Sequence, residues 1–130
     1  MKALYDTCVY IDYLRETKRA DLFSAKDQIR FLSPIVMMEL VAGVRGARQS
    51  RTLDQLFAPY LRASRIVHLE TKHYYKAGNC ISKLGVYSKG ISNDILIALS
   101  ASAVGATLFT SNKADFDKLR HRIPLKVEFV

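Results

Sequence analysis

The sequence predicts an α/β fold in which helices cover both faces of a central, mainly parallel sheet, giving a three-layer α/β/α sandwich. Short β-like runs alternate with longer helical segments along the whole chain. Hydrophobic residues make up 49% of the chain and charged residues 25%, the balance of a globular protein. No repeat, low-complexity tract or linker divides the 130 residues, so one domain, 1–130, is expected.

Five short β-like runs are expected to be strands, at residues 2–5, 29–32, 66–69, 106–110 and 126–129. Helices are expected between them, at residues 9–15, 20–28, 34–43, 47–61, 71–84, 93–104 and 114–119. Asp6 or Thr7 suits the N-cap of the first helix. Ser33 followed by Pro34 is a strong helix start, since serine caps and proline is tolerated in the first turn. Gly105 is the expected stop of the sixth helix.

The net charge and the cysteines indicate which partners and which cellular location to expect. The net charge is +8 and the isoelectric point about 9.7, which suits a nucleic acid or an acidic partner but is also common among small proteins. Cys8 and Cys80 fit no metal or disulfide framework, which indicates a reducing, cytoplasmic location. No apolar stretch reaches the ~18 residues of a membrane span. Asp6 and Asp12 interrupt the N-terminal apolar run, so no signal peptide is expected.

Four carboxylates lie where elements of the predicted fold meet or where a charge is costly. Asp6 directly follows the first strand, and Asp115 lies just beyond the strand that ends at Thr110. Asp94 begins the helix that leads into that strand, and Glu39 lies in a helix of mostly apolar residues. Ligands of parallel sheets bind beyond the carboxyl ends of strands. The alternative is that these acids have no catalytic role. The aspartates would then cap helices or interact with helix dipoles, and Glu39 would face solvent.

Carboxylates brought together repel one another and raise each other's pKa, and a divalent cation removes that conflict. Oxygen ligands suit Mg²⁺ or Mn²⁺, which activate water and stabilise charge on a phosphodiester. Other catalytic centres are not indicated: the histidines are scattered, and neither a nucleophile triad nor a glycine-rich phosphate loop is evident.

Three stretches, LYDTCVYIDYL, SPIVMMELVAGV and NDILIALSASAVGATLFTSNKADFDKL, resemble the successive motifs of PIN-domain ribonucleases, in particular VapC-type toxins. The resemblance assigns the catalytic and metal-binding acids to Asp6, Glu39, Asp94 and Asp115. It also matches Thr7 and Ser111 to small hydroxyl positions and Asn112 to a site asparagine. Ile95 departs from the family, which often has alanine there; this change should affect packing rather than metal binding.

The resemblance implies an Mg²⁺-dependent endoribonuclease, with Mn²⁺ as a substitute, that forms a homodimer and is neutralised by a small cognate antitoxin. Neither a membrane nor direct DNA binding without the antitoxin is then expected. Arg45, Arg48 and Arg51 recur every third residue, so a helix would place them on one side as a rim for RNA phosphates. The alternative is a solvated face. Tyr74 and Tyr75 could stack on bases, but core or dimer packing is the preferred interpretation.

Two other function classes remain open at this point. A PIN-like module that binds RNA or protein without cutting would have the same fold. The presence of all four acids favours an enzyme over it. A receiver-like phosphoacceptor is also α/β but typically has an acidic pair after the first strand, where this chain has Asp6 followed by Thr7.

Overall fold

The computed structural model describes residues 1–16, 18–85 and 90–130. Within these ranges the sheet has four strands, β1 (Lys2–Tyr5), β2 (Ile29–Phe31), β3 (Thr107–Thr110) and β4 (Lys126–Phe129). Their order is β2-β1-β3-β4, and every pair is parallel. Ala3 of the central strand β1 pairs with Arg30 on one side and Thr107 on the other. The two central strands, β1 and β3, are the most deeply buried. This position agrees with the apolar residues that they contain, Ala3, Leu4 and Tyr5 in β1 and Leu108 and Phe109 in β3.

Seven α-helices connect the strands of the described chain. They are α1 (Thr7–Glu16), α2 (Ala20–Ser24), α3 (Pro34–Ala42), α4 (Ala47–Arg62), α5 (Thr71–Leu84), α6 (Ser92–Val104) and α7 (Lys113–Leu119). The Ser33 hydroxyl accepts a hydrogen bond from the Ile35 amide (3.2 Å), so the predicted cap of α3 is confirmed. Gly105, with φ of 69°, ends α6 in the left-handed conformation that glycine adopts without steric cost. Of the helices described, none combines the length and the apolar character needed to cross a membrane.

The strand order explains the three layers. The chain leaves β1 for β2 in one direction, then passes back across β1 to β3 and on to β4 in the other. Because crossovers between parallel strands are right-handed, this reversal puts helices on both faces of the sheet. The predicted α/β/α sandwich is therefore confirmed. The core fills the space between the layers, with α6 contributing fully buried side chains such as Ile95, Ile97 and Ala98.

Two predicted elements are wrong. Residues 66–69 form no strand, because only Ile66 pairs with the sheet, through a single parallel bridge to Leu32. The second helix ends at Ser24 rather than at Gln28, since Ala25 is already extended (ψ 119°). The side chain of Gln28 accepts a hydrogen bond from the Tyr5 hydroxyl instead of continuing a helix. Tertiary contacts thus override the local helical pattern of this segment.

Candidate metal centre

The candidate site lies at the carboxyl edge of the sheet between β1 and β3. These strands are neighbours, yet the chain leaves them in opposite directions, toward β2 and toward β4. A crevice forms at such a switch point because the two connections diverge. Asp6 follows β1 directly, and its amide donates to the Phe109 carbonyl of β3 (3.0 Å). The topology therefore fixes Asp6 at the mouth of the crevice.

Asp6 is 5% exposed, and both of its carboxylate oxygens are held. Oδ1 accepts a hydrogen bond from the Thr7 amide (2.8 Å) and Oδ2 accepts one from the Thr110 hydroxyl (2.7 Å). The Cys8 thiol lies 3.5 Å from Oδ2. Burial raises the pKa of Asp6; the bonds from Thr110, Thr7 and Cys8 lower it, and the charge of Glu39 adds to the rise. Asp6 is thus a buried acid whose orientation is fixed by strand-end groups.

Glu39 comes to the site from α3. Its Oε1 accepts a hydrogen bond from the Thr7 hydroxyl (2.7 Å). A buried contact between the Ser33 and Ser100 hydroxyls (3.0 Å) joins the start of α3 to α6, the helix that carries Asp94. Glu39 also lines a cavity of about 340 Å³ between α1, α3 and α4. A hydrogen-bond partner and an opening to solvent therefore account for this carboxylate in its apolar helix.

Asn112 links the remaining two acids. Its Nδ2 donates to Asp94 Oδ2 (3.4 Å) and to Asp115 Oδ2 (3.1 Å). Its Oδ1 accepts the Asp115 amide (3.4 Å), so Asn112 itself caps α7. Ile91 occupies the cap position of α6. Asp94 and Asp115 thus lie in first turns of helices but at neither N-cap, which weakens the purely structural interpretation of both.

The electrostatics of Asp94 tie the four acids together. Its pKa is raised to about 7, first by burial and then by a hydrogen bond with Asp115 and by the charges of Asp6, Asp115 and Glu39. Hydrogen bonds give the same result: Thr7 joins Asp6 to Glu39, Asn112 joins Asp94 to Asp115, and Thr110 joins Asp6 to Asn112. The structure therefore places the four acids of the predicted site near one another at this edge of the sheet.

No three His, Cys, Asp or Glu side chains of the described residues are arranged to enclose a metal ion. The carboxylates take hydrogen bonds from Thr7, Thr110 and Asn112 instead. The chemistry of the donor set nevertheless fits a hard divalent cation, since all four candidate ligands are carboxylates linked through Thr7, Thr110 and Asn112. A cation there would replace the proton that Asp94 holds near neutral pH.

The pKa of Asp94 makes the stability of the metal-free protein depend on pH. Between its ordinary value of 3.8 and about 7, folded Asp94 holds a proton that the unfolded chain has lost. Stability therefore falls as the pH rises through this window. In EDTA, the wild type should lose more unfolding temperature between pH 5 and pH 8 than Asp94→Asn does. Thermal melts of both proteins at the two pH values measure this, and equal losses would contradict it.

The arginines of the predicted rim are all exposed, but they do not share one helix. Arg45 precedes α4, which begins at Ala47, so the expectation of a single helical arc is wrong for it. Arg48 lines the cavity that Glu39 also lines, together with Arg15. The Ser111 hydroxyl, also exposed, donates to the Cys8 sulfur (3.2 Å). Arg15, Arg48 and Ser111 are thus exposed polar groups around the cleft.

Sequence reasoning missed Thr110, Cys8 and Arg15. Thr110 is fully buried and holds Asp6, and it also accepts the Asn112 amide (3.0 Å). It was identifiable in principle as the last residue of the strand beside β1, where a hydroxyl would face the acid that follows β1. The positions of Cys8 and Arg15 depend on the way α1 packs, for which the sequence carries no signal.

Comparisons with known proteins agree with this architecture. A family model for the PIN domain matches residues 3–122. One chain of VapBC-1 from nontypeable Haemophilus influenzae has a similar structure, with a TM-score of 0.75 and 20% identity over 99% of this chain and 98% of that chain. None of the curated proteins compared with the chain matches its sequence significantly.

Two further solved structures are similar to the chain. One chain of VapBC2 from Rickettsia felis, bound to a DNA fragment from their promoter, has a TM-score of 0.68 and 26% identity, covering 100% of this chain and 99% of that chain. One chain of DNA-bound VapBC from Salmonella typhimurium has a TM-score of 0.66 and 21% identity, covering 99% and 98%.

Proposed function

The chain belongs to the PIN-domain family, and from this premise we propose that it is a metal-dependent endoribonuclease acting as the toxin of a toxin–antitoxin pair. The observation that carries the proposal is the shared electrostatic environment of Asp6, Glu39, Asp94 and Asp115 at the switch point of the sheet. Clustered, half-buried acids are unfavourable for folding and useful for binding a cation. That the neighbours are toxin–antitoxin complexes supports the assignment.

In the proposed mechanism these four acids hold Mg²⁺, or Mn²⁺ in its place. The bound ion would supply a water of lowered pKa and stabilise charge on the phosphodiester. Thr7 and Thr110 keep Glu39 and Asp6 oriented, each through a short hydrogen bond from a hydroxyl. Asn112 holds Asp94 and Asp115 at a fixed spacing, since its amide bonds to both. These hydrogen bonds orient the acids in pairs, and an incoming cation would draw the pairs together.

RNA is the proposed substrate. A cleft of four acids repels phosphates, so binding a polyanion requires compensating cations nearby. Arg48 lies beside Glu39 in the same cavity, and Arg45 and Arg51 are exposed close to it in sequence. The net charge of +8 also favours the binding of a polyanion. We assign these three arginines to the phosphate backbone and the exposed Ser111 to the mouth of the site.

A small antitoxin protein is the proposed partner. The cavity beside Glu39 has apolar walls, formed by Ile11, Leu14, Leu40, Val44 and Leu53, and arginines at Arg15 and Arg48. Apolar residues of a partner helix would fill it, and acidic residues would pair with the arginines. The named VapBC complexes of Haemophilus influenzae and Rickettsia felis support such a partner. A segment seated there would also cover Glu39 and so block the cleft.

We also propose that the chain acts in the cytoplasm as a homodimer. Met38 and Val41 lie one turn apart on α3, and each is about half exposed (52% and 53%). On α5, Tyr74 and Tyr75 are exposed as well. Large apolar side chains that face solvent in pairs are suited to burial against a second copy. Core packing, which was also expected of Tyr74 and Tyr75, is wrong because both are exposed (53% and 75%), so dimer packing is the role proposed for them.

Removing the metal tests the proposed activity. Purified protein should cut a generic single-stranded RNA in Mg²⁺, stop in EDTA, and recover when Mg²⁺ or Mn²⁺ is returned in excess. Gel analysis of end-labelled RNA measures the products. A parallel binding assay separates the alternative: a non-cleaving PIN-like module would bind the RNA and leave it intact in Mg²⁺.

A further inference from the structure

A second cavity, separate from the acid cleft, lies between β2, α2 and the C-terminal half of α4. It has a volume of about 240 Å³, and its polar lining comes from Gln28, Arg30, Gln55, Tyr60 and Arg65. None of the residues that line it is an aspartate or a glutamate. Both arginines are half-buried. The cavity therefore concentrates positive charge in a partly desolvated space.

Arg30 is held in place by neutral groups. Its Nη1 donates to the carbonyls of Leu22 (3.2 Å) and Phe23 (3.0 Å) at the end of α2. Burial raises the pKa of both Tyr5 and Tyr60, and the charge of Arg30 opposes that rise in each. Arg30 also makes side-chain hydrogen bonds to Tyr5 and Tyr60, so its guanidinium is held from several sides and contributes a fixed positive charge to the cavity.

Neither arginine is neutralised by an acid. In the part of the chain that the structure describes, the ion pairs join other residues, and none of them includes Arg30 or Arg65. Half-buried cations that lack a counter-charge are unfavourable, and an anion bound between them offsets that cost. Arginine forks match the oxygens of phosphate, which can accept paired hydrogen bonds.

The amides of the cavity complete the donor set. The Tyr5 hydroxyl lies within hydrogen-bond distance of the Leu22 carbonyl (2.7 Å) and of the Gln28 amide, so Gln28 is positioned by Tyr5 at the edge of the cavity. Gln55 is exposed on α4 and lines the same space. Two guanidiniums and two amides thus line one volume, with Phe23 as part of its apolar wall.

We propose that this cavity is a phosphate-binding site, in which Arg65 binds the oxygens of a phosphate group, Arg30 supplies a fixed positive charge and Gln55 assists. The acid-site cavity is lined from α4 by Arg48, Gln49, Thr52 and Leu53, whereas this one is lined by Gln55, Leu56, Pro59 and Tyr60, and no residue lines both. The phosphate belongs either to a free phosphorylated small molecule or to an RNA end, and the site does not depend on the proposed nuclease activity.

Titration calorimetry with inorganic pyrophosphate in metal-free buffer tests the site, using three variants that each lower the net charge by one. Arg65→Gln removes a ligand and leaves the contacts of Arg30 to α2 intact. Gln55→Glu places a carboxylate at the cavity as an internal counter-ion. Arg122→Gln, at an exposed position outside the lining, is the matched control. Thermal melts establish that each variant is folded.

Wild type should bind pyrophosphate, Arg65→Gln and Gln55→Glu should each weaken binding by about tenfold or more, and Arg122→Gln should change it less than twofold. Absence of binding at millimolar pyrophosphate, or equal weakening in all three variants, would overturn the site. An RNA oligonucleotide with and without a 5′-phosphate identifies the source. Tighter binding of the phosphorylated form that is lost in Arg65→Gln indicates an RNA end; equal binding of both forms indicates a free phosphorylated molecule.

Discussion

Asp94→Asn should lower the rate of RNA cleavage by more than about a hundredfold, because groups that merely support a metal ligand already contribute about 10- to 100-fold. The substitution preserves shape and removes the charge that the proposed cation requires. Asp94 interacts with the other three acids, so its loss affects the centre of the cluster. Single-turnover cleavage of a labelled RNA at saturating Mg²⁺ measures the effect. Thermal melts in EDTA should show an unchanged or higher unfolding temperature, since one repelling charge is gone.

Asp117→Asn is the matched control for this prediction. Asp117 lies two residues beyond Asp115 on α7, and its carboxylate pairs with Arg120 (2.7 Å) rather than with the cleft. The same chemical change should there leave the cleavage rate within about twofold of wild type, since the half-buried Asp117 pairs with Arg120 and lies outside the acid cluster. Wild-type cleavage by purified Asp94→Asn would contradict the assignment of the site. Equal losses in the two variants would attribute the effect to folding.

The positions of Asp6 and Asp115 could be predicted because parallel strands of a βαβ fold end at one edge of the sheet. Both follow strands that are recognisable from short apolar runs, and β1 and β3 prove to be adjacent. Glu39 could be identified as a candidate site residue only because it is a charged residue in a mostly apolar helix. Its direction toward Thr7 depends on how α3 packs on α6, through the buried pair of Ser33 and Ser100. Long-range packing of this kind leaves no periodic signal in the sequence.

The incorrect predictions also have physical causes. Residues 66–69 contain the apolar residues expected of a strand, but only Ile66 reaches the sheet. Its pairing consists of two backbone hydrogen bonds, those of Leu32 with Arg65 and with Val67 (each 2.9 Å). A strand requires a continuous partner, and β2 ends at Phe31. The spacing of Arg45, Arg48 and Arg51 is helical, yet Gly46 has φ of 91° and α4 starts after it. The regular spacing of the arginines thus begins at Arg45, before the helix itself begins.

Production of the wild-type chain alone should arrest the growth of a bacterial host within a few generations, and the Asp94→Asn form at the same level should not. The physical reason is that the fold itself brings the four acids together, so the proposed nuclease needs only Mg²⁺ to become active. No described element of the chain covers the cavity beside Glu39, which stays open to solvent. Restraint must then come from a second protein. Growth curves, with immunoblots that establish equal protein levels, measure the difference.

A small partner with an apolar helix and acidic residues should restore growth when it is produced together with the chain, and should co-purify with it. Leu40→Arg, which places a charge in the apolar wall of that cavity, should weaken this rescue. Asp117→Asn should remain as toxic as wild type, because it leaves the acid cleft intact. Harmless production of a soluble chain that still cuts RNA would indicate a housekeeping nuclease instead of a toxin. Equal toxicity of Asp94→Asn would show that growth stops for a reason other than RNA cleavage, since that variant lacks a charge that the proposed metal site requires.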